Sequence, residues 1–188
     1  ELPDSLARLP VAVKRVLEDK ALREERCRTE AERVRLMTAV EQAAEAVVIT
    51  DLEGRIEYVN PAFTAITGYG RAEALGQSTR LLKSGEHPPE FYSQLWKTIL
   101  AGQVWQGGVT NRRKDGRLYS EEMSIAPVRD ARGAISHFIA VKQDVTEKKR
   151  AEEELRKLSG RLLQVQDEER RRLARELHDT VAQALAAM

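Results

Sequence analysis

The residues best placed to do chemistry in this 188-residue chain lie near its C-terminal end. In the stretch Leu173-Ala174-Arg175-Glu176-Leu177-His178-Asp179-Thr180-Val181, apolar residues recur at helical spacing, and Leu173, Leu177, Val181, Ala184 and Met188 share one stripe. At about 100° per residue, His178 falls on the flank of that stripe, where a partner can reach it. Neutral imidazole is a good nucleophile near neutral pH, and a neighbouring carboxylate such as Asp179 can orient the ring and take up its proton. Such a pair can accept a transferred group. Taken alone, it is equally at home on a solvated helix that happens to contain one histidine. Chemistry elsewhere is restricted: the one cysteine, Cys27, excludes an internal disulfide and any multi-cysteine zinc site and reads as a free thiol. No glycine-rich loop of the kind that cradles phosphate occurs.

The elements that must position these residues follow from how the composition is divided. Charged residues make up 32% of the chain, but 31 Lys+Arg against 30 Asp+Glu leave a net charge of +1, so no overall field points to nucleic acid or an anionic membrane. Apolar runs such as Ala46-Val47-Val48-Ile49 are far too short for a membrane span or a signal peptide, which makes the expected location cytoplasmic. All nine aromatic residues and ten of the eleven glycines fall between 46 and 145, whereas residues 1 to 45 and 146 to 188 each carry 19 charges. Helical flanks around one globular block are therefore expected. The first flank, from about Asp4 to Ala44, has apolar ends and a charge-alternating centre from Glu18 to Arg33, which suits a connector. In the second flank, Leu155, Leu158, Leu162 and Val165 step by 3, 4 and 3, a short coiled-coil seam. Leu173 follows Leu162 by eleven residues, so the seam changes phase near Asp167-Glu168-Glu169, where a parallel dimer that twists or shifts would relay a signal.

Within the block, Val47 to Thr50 and Arg55 to Val59 read as strands joined by the hairpin signal Asp51-Leu52-Glu53-Gly54. Asn60-Pro61 opens a short helix, Gly68, Gly70 and Gly76 punctuate small helical pieces, and an amphipathic helix runs from Pro89 to Leu100. Strands follow at Val104 to Arg112, Arg117 to Val128 and Ile135 to Val141. The expected class is α+β, with a five-stranded antiparallel sheet and a helical cluster. The wording of the block resembles a PAS sensory domain. The opening Asp51-Leu52-Glu53-Gly54-Arg55-Ile56, Asn60-Pro61-Ala62-Phe63 and Thr67-Gly68-Tyr69 carry the first half of the likeness. Trp105-Gln106-Gly107, Asn111-Arg112-Arg113-Lys114-Asp115-Gly116 and the closing Asp144-Val145-Thr146 carry the second. The resulting division is a helical connector over 1–45, a PAS-like domain over 46–146, a coiled coil over 147–166 and a final helical segment over 167–188.

That last segment, from Asp167 to Gln183, resembles the phosphoacceptor helix of sensor histidine kinases of the subfamily that includes nitrate sensors. The resemblance implies that His178 is phosphorylated, that Asp179 assists proton transfer, and that Gln183 positions the water that hydrolyses a partner's aspartyl phosphate. Helix geometry does not supply the role of Gln183, because five residues turn it about 140° away from His178. The opening ELPDSLARLPVAVKRVLED is similar to the last helix of a response-regulator receiver domain. Because the sequence ends at Met188, without the second dimerisation helix or the ATP-binding domain of such kinases, this stretch alone is not expected to phosphorylate itself.

For the PAS block, the words around Leu95-Trp96, Trp105-Gln106-Gly107 and Asn111 are similar to flavin-binding redox sensors of nitrogen fixation. The likeness implies FAD or FMN as cofactor, with Trp105 and Asn111 facing the ring; a purely structural Trp105 inside an empty core is the alternative. Thr79 stands where flavin photosensors of the adduct-forming type have a reactive cysteine, which sets that photochemistry aside. Haem is a weak third choice, because the helix from Phe91 to Leu100 contains no histidine, and His87 and His137 read as a loop and a strand residue. The function expected is that of a sensory and regulatory portion of a cytosolic histidine kinase, a homodimer acting on a response regulator, with no nucleic-acid partner. The alternative is a flavin- or small-ligand-binding PAS module that acts as a dimeric interaction domain.

Overall fold

The structure, a computed structural model, describes the backbone of residues 11–186, with side chains over 13–172 except at positions 14 and 16. Residues 1–10, the first part of the receiver-like opening, and residues 187–188 lie outside the described residues. Helix α1 (Val11–Glu41) occupies most of the first expected flank. It carries exposed ion pairs such as Lys20–Glu24 and Arg33–Glu30, as the alternating charges imply. Cys27 is exposed on it.

Strands β1 (Ala46–Thr50) and β2 (Ile56–Val59) form the expected hairpin. The turn closes because the Asp51 carboxylate accepts the amides of Glu53 and Arg55 at 2.9 and 2.8 Å, while Gly54 takes φ +79°. Helix α2 (Pro61–Thr67) starts at Asn60, whose side-chain oxygen caps the Phe63 amide and also accepts the Val47 amide. The Asn60 amide nitrogen donates to Val40 and Glu45 carbonyls, so one buried side chain joins the end of α1, the start of β1 and the cap of α2. A short helix α3 (Arg71–Ala74) and a 3-10 turn (Thr79–Leu82) lead to α4 (Pro89–Leu100).

The last three strands are β3 (Trp105–Arg112), β4 (Leu118–Arg129) and β5 (Ile135–Asp144). All pairings are antiparallel, and the sheet order is β2-β1-β5-β4-β3, so first and last strands meet at the centre. Strand β5 runs three residues beyond the expected Val141. The added stretch contains Lys142, a charge on the inward face that breaks the apolar alternation but is 7% exposed because a partner awaits it inside. One core cluster centres on Phe63, Ile56, Val48 and Leu82 between the sheet and α2; a second joins Leu95 and Ile99 of α4 to Phe138 of β5.

Helix α5 (Thr146–Ala186) leaves the sheet directly and runs for 41 residues. Leu155, Leu158, Leu162 and Val165 are 59 to 69% exposed along it, an uncovered apolar stripe on the single chain. Among the described residues, no helix is long and apolar enough to cross a membrane.

Candidate functional site

Between the inward face of the sheet and α4 lies a cavity of about 520 Å³. Its walls are made by alternate residues of the strands, such as Val48, Val109 and Phe138, and by Leu95, Trp96 and Ile99 on the apolar stripe of α4. Trp96 is held by an edge contact with Phe138 at 5.9 Å between centroids and by the close approach of the Gly54 backbone. A Cβ at Gly54 would stand 3.0 Å from the indole, so glycine here serves both the turn and the wall.

The floor is polar. Lys142 Nζ lies 2.9 Å from Glu121 Oε1, and Asn111 Nδ2 donates to the same oxygen at 2.8 Å. Side-chain exposures of 8% for Lys142 and 1% for Glu121 make this a buried ion pair. Register explains the meeting: Lys142 pairs across from Met123 on β4, and Glu121 across from Val109 on β3, so β4 carries the acid between the amide and the ammonium. Lys142 and Asn111 line the cavity, whereas Glu121 stands behind them. Tyr92 also lines it, and the buried hydroxyls of Tyr92 and Tyr119 have no hydrogen-bond partner among the described residues. Burial first, and the Glu121 carboxylate second, push both hydroxyls above the usual phenol range, so both remain protonated donors. A buried donor left unmatched costs about 1–3 kcal/mol, and of the two only Tyr92 lines the cavity; Tyr119 stands behind it, with its hydroxyl beside the Glu121 carboxylate. Arg80 and Lys83 line the cavity as well, with the Lys83 ammonium 4.5 Å from the Tyr92 ring centroid.

Of the residues singled out in the sequence, Asn111 and Thr79 line the cavity. Trp105 does not: its ring lies over Gly107, where a Cβ would come within 2.8 Å, and it meets Phe91 edge-on at 5.7 Å. The tryptophan in the cavity wall is Trp96. His87 is a loop residue whose Nε2 accepts the Thr110 amide at 2.8 Å, with its ring stacked on Phe91; His137 sits on β5 with Nε2 3.1 Å from Glu57. Glu121, Lys142, Tyr92 and Tyr119 were not foreseen. Inward parity on β4 and β5 was the available signal, since Glu121 and Lys142 fall in phase with Tyr119 and Ala140. His178, Asp179 and Gln183 fall in the final turns of α5, whose side chains lie outside the described residues. No cluster of His, Cys, Asp or Glu suited to a metal occurs among the described residues.

A second set of contacts joins the sheet to α5. The Asp144 carboxylate accepts the Thr146 amide at 2.9 Å, and the Thr146 hydroxyl accepts the Ser120 amide at 2.9 Å. Arg113 bonds both Asp144 and the Ile66 carbonyl, and its guanidinium lies 4.6 Å from the centroid of the Tyr119 ring. Burial acts to raise the Asp144 carboxyl, but Thr146 and Arg113 together hold it below its ordinary value. Tyr119 thus reaches the first turn of α5 through Arg113 and Asp144, and Glu121 lies directly across the sheet from Asp144.

Residues 35–145 match the family model described as PAS fold, and residues 169–188 match one described as histidine kinase. The nitrogen fixation regulatory protein of Klebsiella oxytoca is 41% identical over 119 residues, which is 63% of this chain and 24% of that protein. The blue-light-activated histidine kinase of Brucella ovis is 31% identical over 91 residues, 48% of this chain and 19% of the relative. The chain thus spans about a quarter or less of these curated relatives. Among solved structures, an RNA-binding light-oxygen-voltage receptor is 31% identical with a TM-score of 0.60, over 66% of this chain and 36% of the other. A light-oxygen-voltage domain from work with a flavin analogue is 28% identical with a TM-score of 0.56, over 67% and 95%.

Proposed function

The chain belongs to the PAS fold family, and from that membership we propose that it is the sensory and relay portion of a sensor histidine kinase. The observation that carries this reading is α5, a single helix that begins on the Asp144–Thr146 junction of the sheet and runs into the stretch matching the histidine-kinase model. A change at the cavity floor has a contiguous route to that helix through Tyr119, Arg113 and Asp144. In this reading residues 46–146 sense, 147–166 relay as a parallel coiled coil, and 167–188 carry the phosphoacceptor. His178 takes the phosphoryl group, Asp179 accepts its proton, and Gln183 serves the hydrolysis of a response regulator's aspartyl phosphate. The protein acts as a cytoplasmic homodimer. When purified chain is supplied with a histidine-kinase ATP-binding domain and ATP, acid-labile label is expected on the wild type and none on His178→Gln, whose amide cannot act as the nucleophile. Label that persists on His178→Gln would overturn the assignment.

The ligand sensed is read as a flavin. The cavity supports this: its size, the Trp96 wall for a flat ring, and Asn111 and Lys142 as donors at the floor suit a planar heterocycle with carbonyl acceptors. Trp96 and Asn111 would hold the ring, and a bound flavin would supply sensitivity to redox state. The absorption spectrum of purified protein incubated with FMN or FAD tests this; failure to retain either would leave another small ligand as the signal and the interaction-module reading for the domain.

A further inference from the structure

The buried ion pair at the floor has a direction. Its positive member, Lys142, lines the cavity, while its negative member, Glu121, lies behind it and is almost wholly enclosed. Glu121 Oε1 is already shared by Lys142 and Asn111, and Lys142 has three N–H donors, of which one is used. The Lys142 ammonium therefore borders the cavity with donors to spare, and Tyr92, whose buried hydroxyl has no hydrogen-bond partner among the described residues, lines the same wall. Arg80 and Lys83 add positive charge to the lining, and its one acid, Glu53, is exposed and within 3.4 Å of Arg55. In a low-dielectric enclosure such an oriented pair acts on a ligand far more strongly than in water.

We propose that the cavity selects for charge: it takes a planar, largely apolar ligand whose inner end is anionic or strongly electron-rich, and Lys142 is the residue that imposes this selection. The apolar body lies against Trp96, Leu95 and Phe138, and the negative end meets Lys142 and Tyr92. Glu121 holds the ammonium in place and keeps it from collapsing out of the floor. The inference deepens the ligand-binding reading of the domain and depends on the cavity being a ligand site, but not on that ligand being a flavin.

The test uses two probes of one shape that differ in charge, 2-naphthoate and its neutral counterpart 2-naphthamide, titrated calorimetrically into the full 188-residue chain. Wild type is expected to bind the carboxylate at least about tenfold more tightly than the amide. In the variant Glu121→Gln, Lys142→Gln the preference should fall to near unity, whereas Lys142→Arg should retain it. Arg80 and Lys83 are unchanged in these variants, so a preference that survives the amide pair would arise elsewhere in the lining and would overturn the proposal. Equal binding of the two probes by wild type, or binding of neither, would overturn it too. If the amide pair fails to fold, as judged by circular dichroism, Glu121→Leu with Lys142→Met provides the same comparison with an apolar floor. FMN titrated in parallel separates the two readings: selection for naphthoate without FMN binding removes the flavin and leaves charge selection standing. FMN binding without naphthoate selection does the reverse.

Discussion

Replacing Lys142 with Met should be among the most damaging single substitutions in the sheet. The change removes the cation bonded to Glu121, whose side chain is 1% exposed, and among the described residues leaves the carboxylate with the Asn111 amide. Breaking a buried pair in this way costs about 3–5 kcal/mol, because an uncompensated charge remains inside. For a cooperative unit of roughly 100 residues, each kcal/mol lowers the melting midpoint by about 4–8 °C, so a fall of at least roughly 12 °C is expected. The mirror change, Glu121→Leu, should cost less: the stranded ammonium borders the cavity, where water can reach it, whereas the stranded carboxylate does not. Replacing both at once, Glu121→Leu with Lys142→Met, removes both desolvated charges and should recover most of the loss. Urea unfolding followed by tryptophan fluorescence is the suitable assay, since Trp96 and Trp105 both report on the block between 46 and 145 and neither sits on the flanking helices. A Lys142→Met protein within about 1 kcal/mol of wild type, or a double variant worse than either single one, would refute the account of the floor as a mutually dependent pair.

Asp144 gives a pH signature. Its folded-state value lies below the ordinary 3.8, so its contribution to stability is complete above that range and disappears as pH falls through the lower folded value. Asp144→Asn should therefore be less stable than wild type at neutral pH, with the two converging in strong acid, and a gap independent of pH in urea titrations would contradict the assignment. For assembly, Leu158→Glu with Leu162→Glu should lower the mass seen by light scattering, because these residues are exposed on the single chain and follow a coiled-coil step; unchanged mass would move the dimer contact elsewhere. For the cavity wall, Trp96→Ala should weaken retention of added FMN by at least about tenfold and Trp105→Ala by far less, as read from fluorescence titration; the opposite order would return the ring contact to Trp105.

What could be read from the sequence was local, and what could not was a matter of partners far along the chain. The Asp51–Gly54 turn, the Asn60 cap and the limits of α4 depend on residues a few positions apart, so their signals are contained in short words and they are found where those words place them. Strand β5 illustrates the opposite case. Read alone, Lys142 after Val141 ends an apolar alternation, because a lone lysine on an inward face is too costly; Glu121, 21 residues earlier and on another strand, makes that position tolerable. The two tryptophans raise the same difficulty within one aromatic set. Both belong to inward faces, and only the backbone of Gly54 beside Trp96 and of Gly107 beneath Trp105 decides which ring reaches the cavity and which lies flat along its strand. Glycine positions are visible in a sequence, but the side chain that will use the space is not. The features that the sequence withheld are thus the ones that distinguish this cavity chemically: an ammonium facing inward, its counter-ion hidden behind it, and a tyrosine, Tyr92, in the wall. Each violates a local rule for strands or cores, and a cavity meant to hold a polar ligand is where such violations are expected.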